Sequence, residues 1–243
     1  MSATLQGWPP KGSRQAGLLA RLDIHRPEDL IVHLPLRYED ETFLTPIAQA
    51  LPGESAQIEA VALSCEITLP RRQLLARLRD EAGSEIIARW INFYPSLQKQ
   101  LTPGRRFRLF GEVRGGFFGV EMVHPRLRMV EEGEPLPRSL TPVYPTTAGL
   151  GQAALRRLVD AALEIVPLDD PLPPTILQRL DLPGFSEALR CLHHPPPGSP
   201  ARLLAEREHP AWRRIKFEEL LVQQLSLRRA YNARRVQAAV SLP

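Results

Sequence analysis

Arg72-Gln-Leu-Leu-Ala-Arg-Leu-Arg-Asp80 and Glu85-Ile-Ile-Ala-Arg-Trp-Ile-Asn-Phe93 both alternate with a period of two, the pattern of half-buried strands. In the first run Leu74, Ala76 and Leu78 share one face, while Gln73, Leu75, Arg77 and Arg79 share the other. In the second, Ile86, Ala88 and Trp90 fall together, opposite Ile87, Arg89, Ile91 and Phe93. The first face of each run suits a core. The second mixes guanidinium groups with apolar and aromatic surface, as platforms for single-stranded nucleic acid do.

Working outward, residues 54–129 read as one small β-barrel. The first strand is expected at about Ser55–Leu69, followed by the turn Pro70-Arg71-Arg72 and the two runs above, which Glu81-Ala-Gly83 separates. Pro95–Leu101 predicts a short helix closed by Pro103-Gly104. The fourth strand is expected at Arg105–Arg114, then a Gly115-Gly116 turn, then the fifth strand at Phe117–Met129. Five strands with a helix between the third and fourth is the OB-fold order, in which the second and third strands and the loops after the first and fourth hold oligonucleotides. Those places carry Arg71, Arg72, Arg77, Arg79, Arg89, Ile91, Phe93, Tyr94, Arg114 and Phe117, with Gly115 and Gly116. OB barrels also bind sugars and proteins, so the pattern alone leaves the ligand class open.

The flanks read as helical, so the expected fold class is α+β multidomain, a five-stranded OB barrel between N-terminal and C-terminal helical segments. Residues 1–50 form the first segment. Pro9-Pro10-Lys11-Gly12 is a start signal, Ala16–Leu22 has apolar residues at helical spacing, and Pro27–Leu34 opens with proline and acids, as a helix N-terminus favours. The pair could present backbone N–H groups to a phosphate, but the second glycine such a hairpin wants falls near Arg14, so a packing hairpin is preferred. Leu36–Glu41 is a connector. The barrel is assigned to 51–130 and an extended linker to 131–150. There the acidic Glu131–Pro137 reads as a solvated spacer, and the prolines in Leu140–Thr147 exclude helix. Residues 151–243 form the second helical segment. Gly151–Val166 is amphipathic through Leu155, Leu158, Val159, Ala162, Leu163 and Val166, and a shorter helix spans Ser186–Leu192 with His193-His194 at its carbonyl-rich end. A long helix covers about Pro210–Ala239, with Phe217, Leu220, Leu221, Gln224, Leu225 and Tyr231 along one side and several arginines around it.

The bulk composition fits a soluble globular protein: 243 residues, 43% hydrophobic and 24% charged. The net charge is +4, and three lysines (Lys11, Lys99, Lys216) stand against twenty-eight arginines. Arginine suits phosphate recognition and base stacking, but the same bias follows from a GC-rich genome. Cys65 and Cys191 are far apart and lack metal-ligand spacing, so buried thiols in a reducing cytoplasm are expected. Neither a membrane span nor a secretory signal is visible. Gly-x-x-x-x-Gly-Lys-Ser/Thr, Gly-x-Ser-x-Gly and His-Glu-x-x-His do not occur, so the chain shows no catalytic apparatus of these kinds. The end at Pro243, where the long helix runs out, reads as the boundary of a piece.

Asp29–Asp40, Leu44-Thr-Pro-Ile47, Gly111-Glu-Val-Arg114, Glu121-Met-Val-His-Pro125, Leu140–Thr147, His209–Arg214 and Phe217-Glu-Glu-Leu-Leu221 together resemble the N-terminal portion of the RecG-type ATP-dependent DNA helicases. The resemblance covers nearly the whole chain. It implies that the barrel is a wedge domain that parts strands at branched DNA, in recombination and repair. Two motor lobes, binding ATP and magnesium, would lie beyond Pro243, and the chain itself would bind no cofactor or metal and be inactive alone. Implied partners are branched and single-stranded DNA and, further, single-stranded-DNA-binding protein; a monomer is expected. The family's aromatic-aromatic-Asn signature is Trp90-Ile91-Asn92 here, so Ile91 holds the place of a stacking ring and Phe93 or Tyr94 would supply the missing face. Arg126 and Ala148 stand where the family commonly has acids. The rival reading is a protein-docking module whose barrel binds a peptide in place of DNA.

Overall fold

The computed structural model describes Trp8 and residues 12–69, 72–116 and 119–236. In chain order the helices are α1 (Arg14–Ala20), α2 (Pro27–Ile31), α3 (Pro95–Gln100), α4 (Gln152–Ile165), α5 (Pro174–Leu180), α6 (Phe185–His193), α7 (Ala201–Ala205) and α8 (Pro210–Val236). The strands are β1 (Arg37–Glu39), β2 (Ser55–Thr68), β3 (Gln73–Arg79), β4 (Glu85–Ile91), β5 (Arg106–Gly116), β6 (Gly119–Val123), β7 (Arg126–Met129) and β8 (Thr141–Val143). The chain divides into two compact units, 40–141 and 1–39 with 142–243. This differs from the four consecutive segments expected from the sequence: the two helical flanks cluster as one body.

Unit 40–141 is a closed five-stranded barrel of mixed strand direction. Its long first strand, β2, serves two neighbours: residues 55–61 pair antiparallel with β5 and 61–68 with β3. The register shift between Ala62 and Ser64 is a bulge, which adds the bend such sharing requires. β3 pairs antiparallel with β4, and β4 closes the barrel by pairing parallel with β6. The alternation read in β3 and β4 holds: Leu74, Ala76, Leu78, Ile86 and Ala88 are buried, and Trp90 nearly so. They join Ile58, Phe107, Leu109, Val113 and Met122 in one core, where a fully buried Leu, Ile or Phe contributes ~1.5–3 kcal/mol.

The expected fifth strand is broken. Val113 pairs with Met122 and Phe110 with Arg126, so two residues of β5 face three residues, Val123 at the end of β6 and His124-Pro125 between β6 and β7. His124 takes the extra position with φ +53°. Three bonds lock this kink: His124 N–H donates to Arg89 O (2.7 Å), Trp90 Nε1–H to Pro125 O (3.2 Å), and Ile91 N–H to His124 Nε2 (3.3 Å). A Cβ on Gly111 would lie 3.3 Å from Pro125 Cα, so the glycine admits the kinked backbone. The Gly111 and His124-Pro125 motifs are therefore the barrel's seam. Gly115 and Gly116 lie within β5, paired with Val120 and Gly119, and do not themselves form the turn. The expected spacer after the barrel is fastened to it: Arg108, nearly buried, donates to the carbonyls of Glu134 and Pro135.

The second unit packs α1, α2, α4 and α6 around Leu19, Leu30, Ile31, Leu155, Val159, Leu163 and Leu189. Of the start signal at Pro9–Gly12, only Gly12 lies within the described residues. Ser13 caps α1 by accepting from Ala16 N–H (3.2 Å), and the Asp29 carboxylate accepts the N–H groups of His25 and Arg26 ahead of α2. The connector contains β1, which pairs with β8 in the Pro-interrupted stretch expected to be extended. Gln152 clamps Tyr144 by donating to its carbonyl and accepting from its N–H (2.8 and 2.9 Å). α4 matches its apolar stripe, but α5 and α7 begin at the ends of two Pro-rich stretches, 171–174 and 195–200, and were not legible as helices.

Two polar knots tie this unit. His193 does not cap α6: it is fully buried, accepts from Tyr144 Oη–H through Nδ1 (2.9 Å) and donates from Nε2 to Ile31 O (2.8 Å). Burial holds this imidazole neutral, its pKa pushed down to about 4. Arg214, also fully buried, pairs with Asp170 (2.9 Å) and Glu218. Asp170 further accepts the N–H groups of Leu172 and Phe185. Burial alone would raise the Asp170 carboxyl, but these donors and Arg214 hold it below its ordinary value. Beyond these tethers Leu220, Val222, Leu225, Leu227 and Tyr231 of α8 are exposed.

Candidate nucleic-acid interface

The outward side of β3 and β4 forms a wall, and the end of that wall is where β4 stops and α3 begins. The register Thr68–Gln73–Ile91 across β2, β3 and β4 brings the tip of the β2–β3 hairpin beside the end of β4. Arg71 and Phe117 lie outside the described residues. The other expected positions separate into two groups with different chemistry.

The wall does not present a field of free guanidinium groups. Arg77 Nη2 donates to Glu85 Oε2 (2.7 Å), and Arg79 donates to Glu85 Oε1 through Nη2 (2.6 Å) and Nε (3.2 Å). These donors, Arg79 first and then Arg77, hold the Glu85 carboxyl below its ordinary value. Arg89 is half-buried between Gln73 Oε1 (2.8 Å) and Glu121 Oε2 (2.9 Å). A Cβ on Gly116 would come within 3.1 Å of Glu121 Cγ, so that glycine leaves room for the carboxylate. Arg114 lies 3.3 Å from Glu112. The wall also carries a groove of about 420 Å³ lined by Ser64, Glu66, Leu75, Arg77, Glu85 and Ile87. Arg77, Arg79 and Arg89 thus point outward, as their alternation predicts, and Arg114 is exposed on β5, but each has a carboxylate partner already.

The end of the wall is different. Ile91 is 41% exposed and Tyr94 81%, while Phe93 packs partly against the core. The Arg72 guanidinium lies over the Phe93 ring, 5.4 Å from its centroid, so one face of that ring is covered. Tyr94, at the N-cap of α3 with no side-chain capping bond, offers an uncovered ring. Leu69, 82% exposed at the hairpin tip, was not among the expected residues. Among the described residues these side chains form a greasy edge beside the Arg72 cation, suited to meeting an unstacked base.

The residues missed by sequence reasoning are the partners: Glu85, Glu121 and Gln73. Glu85 could have been found, because the Asp80–Ser84 turn sets a register in which Arg79 faces Glu85 and Arg77 faces Ile87. Glu121 could not, because its approach to Arg89 depends on the parallel closure of the barrel. Among the described residues no group of His, Cys, Asp and Glu side chains is arranged to hold a metal ion, and no helix is long and apolar enough to cross a membrane.

Residues 10–166 match the model of the RecG wedge domain. The chain is 40% identical over 224 residues to the ATP-dependent DNA helicase RecG of Escherichia coli strain K12, covering 89% of this chain and 32% of that protein. With the RecG helicase of Haemophilus influenzae it shares 38% identity over 223 residues, covering 90% and 32%. The chain therefore spans about a third of the length of these curated relatives. A solved structure of RecG bound to a three-way DNA junction superposes with a TM-score of 0.65 at 26% identity, over 95% of this chain and 31% of that one. The barrel, its His124-Pro125 seam and these likenesses agree: the chain belongs to the RecG wedge domain family, whose curated relatives here are ATP-dependent DNA helicases.

Proposed function

We propose that this chain is the part of a RecG-type helicase that recognises branched DNA and keeps its strands apart, at stalled forks and Holliday junctions, in recombination and repair. The observation that carries this reading is the exposed Ile91–Tyr94 edge beside Arg72 at the end of β4, on a barrel whose solved relative holds a three-way junction. The mechanism is passive: arginine secures phosphate while the apolar edge occupies the place into which a base would re-pair. The chain carries no phosphate-cradling loop, so ATP and magnesium belong to motor lobes of the parent protein, and force comes from there. The protein acts as a monomer in the cytoplasm.

The test is binding of the purified chain to a fork and to a matched duplex over a range of salt. Preferential, salt-sensitive fork binding without ATP turnover is expected; ATP hydrolysis by the chain, or equal affinity for fork and duplex, overturns the reading. A second reading, docking of a peptide such as a segment of single-stranded-DNA-binding protein, is favoured by Glu66 and Glu85 in the wall groove, which disfavour phosphate. It predicts tight peptide binding, and a salt slope for DNA that Arg72→Ala leaves unchanged.

A further inference from the structure

Two arginines on neighbouring outward positions of one strand should be a strong phosphate fork. Arg77 and Arg79 are such a pair, on the wall where an OB barrel holds nucleic acid. Glu85 occupies the fork instead, one oxygen on each guanidinium group, at 2.7 and 2.6 Å. The carboxylate stands where two oxygens of a phosphate would be received, and it reduces the trio from two positive charges to one. Glu66 lines the same groove. Exposed pairings of this kind do little to hold a fold together, so its consequence lies in what the wall can bind.

We propose that Glu85 is a specificity-determining residue: it keeps Arg77 and Arg79 from gripping phosphate, so that DNA is held at the Arg72–Ile91–Tyr94 end and the branch point is chosen over plain strand. This rests on the proposed DNA-binding function and adds to it a device for selectivity. A wall with two free guanidinium groups would hold any phosphate backbone, and non-specific affinity comes almost wholly from such contacts. Offsetting half of the fork's charge from within weakens that affinity without touching the apolar edge. Arg89 repeats the arrangement, with Glu121 at 2.9 Å, so the adjoining strand is also silenced.

The experiment measures anisotropy of a labelled fork, a short single strand and a matched duplex with the full chain, from ~50 to ~200 mM salt. Glu85→Gln keeps the shape, removes the charge and replaces one of the two accepting oxygens with an NH2 donor, so one guanidinium group loses its partner outright. Gaining one or two phosphate contacts steepens the logarithmic salt slope by ~0.7–1.8 and tightens single-strand and duplex binding at low salt, about three- to tenfold. Preference for the fork falls accordingly. Arg77→Ala with Arg79→Ala, in the Glu85→Gln background, should return the slope and the preference to those of the unaltered chain. An unchanged slope and preference in a folded Glu85→Gln protein overturns the proposal. An unaltered chain that does not distinguish fork from duplex defeats the proposed function instead, and the Glu85→Gln slope is still read separately.

Discussion

Tyr94→Ala isolates the stacking contribution from the electrostatic one. Tyr94 is 81% exposed and makes no capping bond to α3, so its loss should leave stability within ~0.5 kcal/mol. The ring is the open aromatic face at the end of β4, since Arg72 covers Phe93 and the neighbouring position is Ile91. A base stacked on an aromatic ring is worth ~1–3 kcal/mol, so removal should weaken fork binding about five- to 150-fold. No phosphate contact is lost, so the slope of affinity against salt should not move. Anisotropy with a labelled fork, beside a melting curve of the same protein, reads all three quantities. A folded variant that binds forks within twofold of the unaltered chain would refute the stacking role, and a flattened salt slope would show that the ring acts by positioning Arg72.

His193 makes the helical unit sensitive to acid. Its folded pKa of about 4 lies below the ordinary 6.5, so its contribution is complete above pH 6.5 and is lost as pH falls towards 4, ~3 kcal/mol in all; urea midpoints between pH 7.5 and 4.5 should show this, and His193→Gln should flatten the profile. Asp170→Ala should destabilise the same unit by ~3 kcal/mol, because it strips a fully buried guanidinium of one partner and orphans two N–H groups. Arg214→Met in addition should recover part of that loss in chemical denaturation, since the fully buried guanidinium is then gone and the remaining carboxylate, Glu218, is only half-buried.

Period-two patterning made β3 and β4 legible because each strand has one face in a core and one in water, and the helix at Pro95 was marked by its proline. The break at His124 was not legible. A valine-rich run ending in His-Pro reads as an ordinary strand end, and only the parallel pairing of β4 with β6, which joins residues far apart in sequence, shows why the chain must kink there. β1 was hidden for a similar reason: a three-residue strand has too few positions to show a period, and its partner β8 lies a hundred residues away. His193 misled because local rules describe helix ends, while burial under Tyr144 and Ile31 is a tertiary fact.

The site was legible in direction and not in charge. Alternation placed Arg77, Arg79 and Arg89 outward, as found, but direction fixes only which way a side chain points, not what meets it. Charge counting along a strand treats each arginine as available, whereas cross-strand registry gives Arg79 a glutamate directly opposite. The surface of this barrel therefore has nearly balanced charge on its wall and an unbalanced, apolar end. For the branched-DNA recognition proposed above, that distribution is more useful than a uniformly basic face: affinity spread along a strand rewards length, while affinity concentrated at one edge rewards the place where a duplex opens.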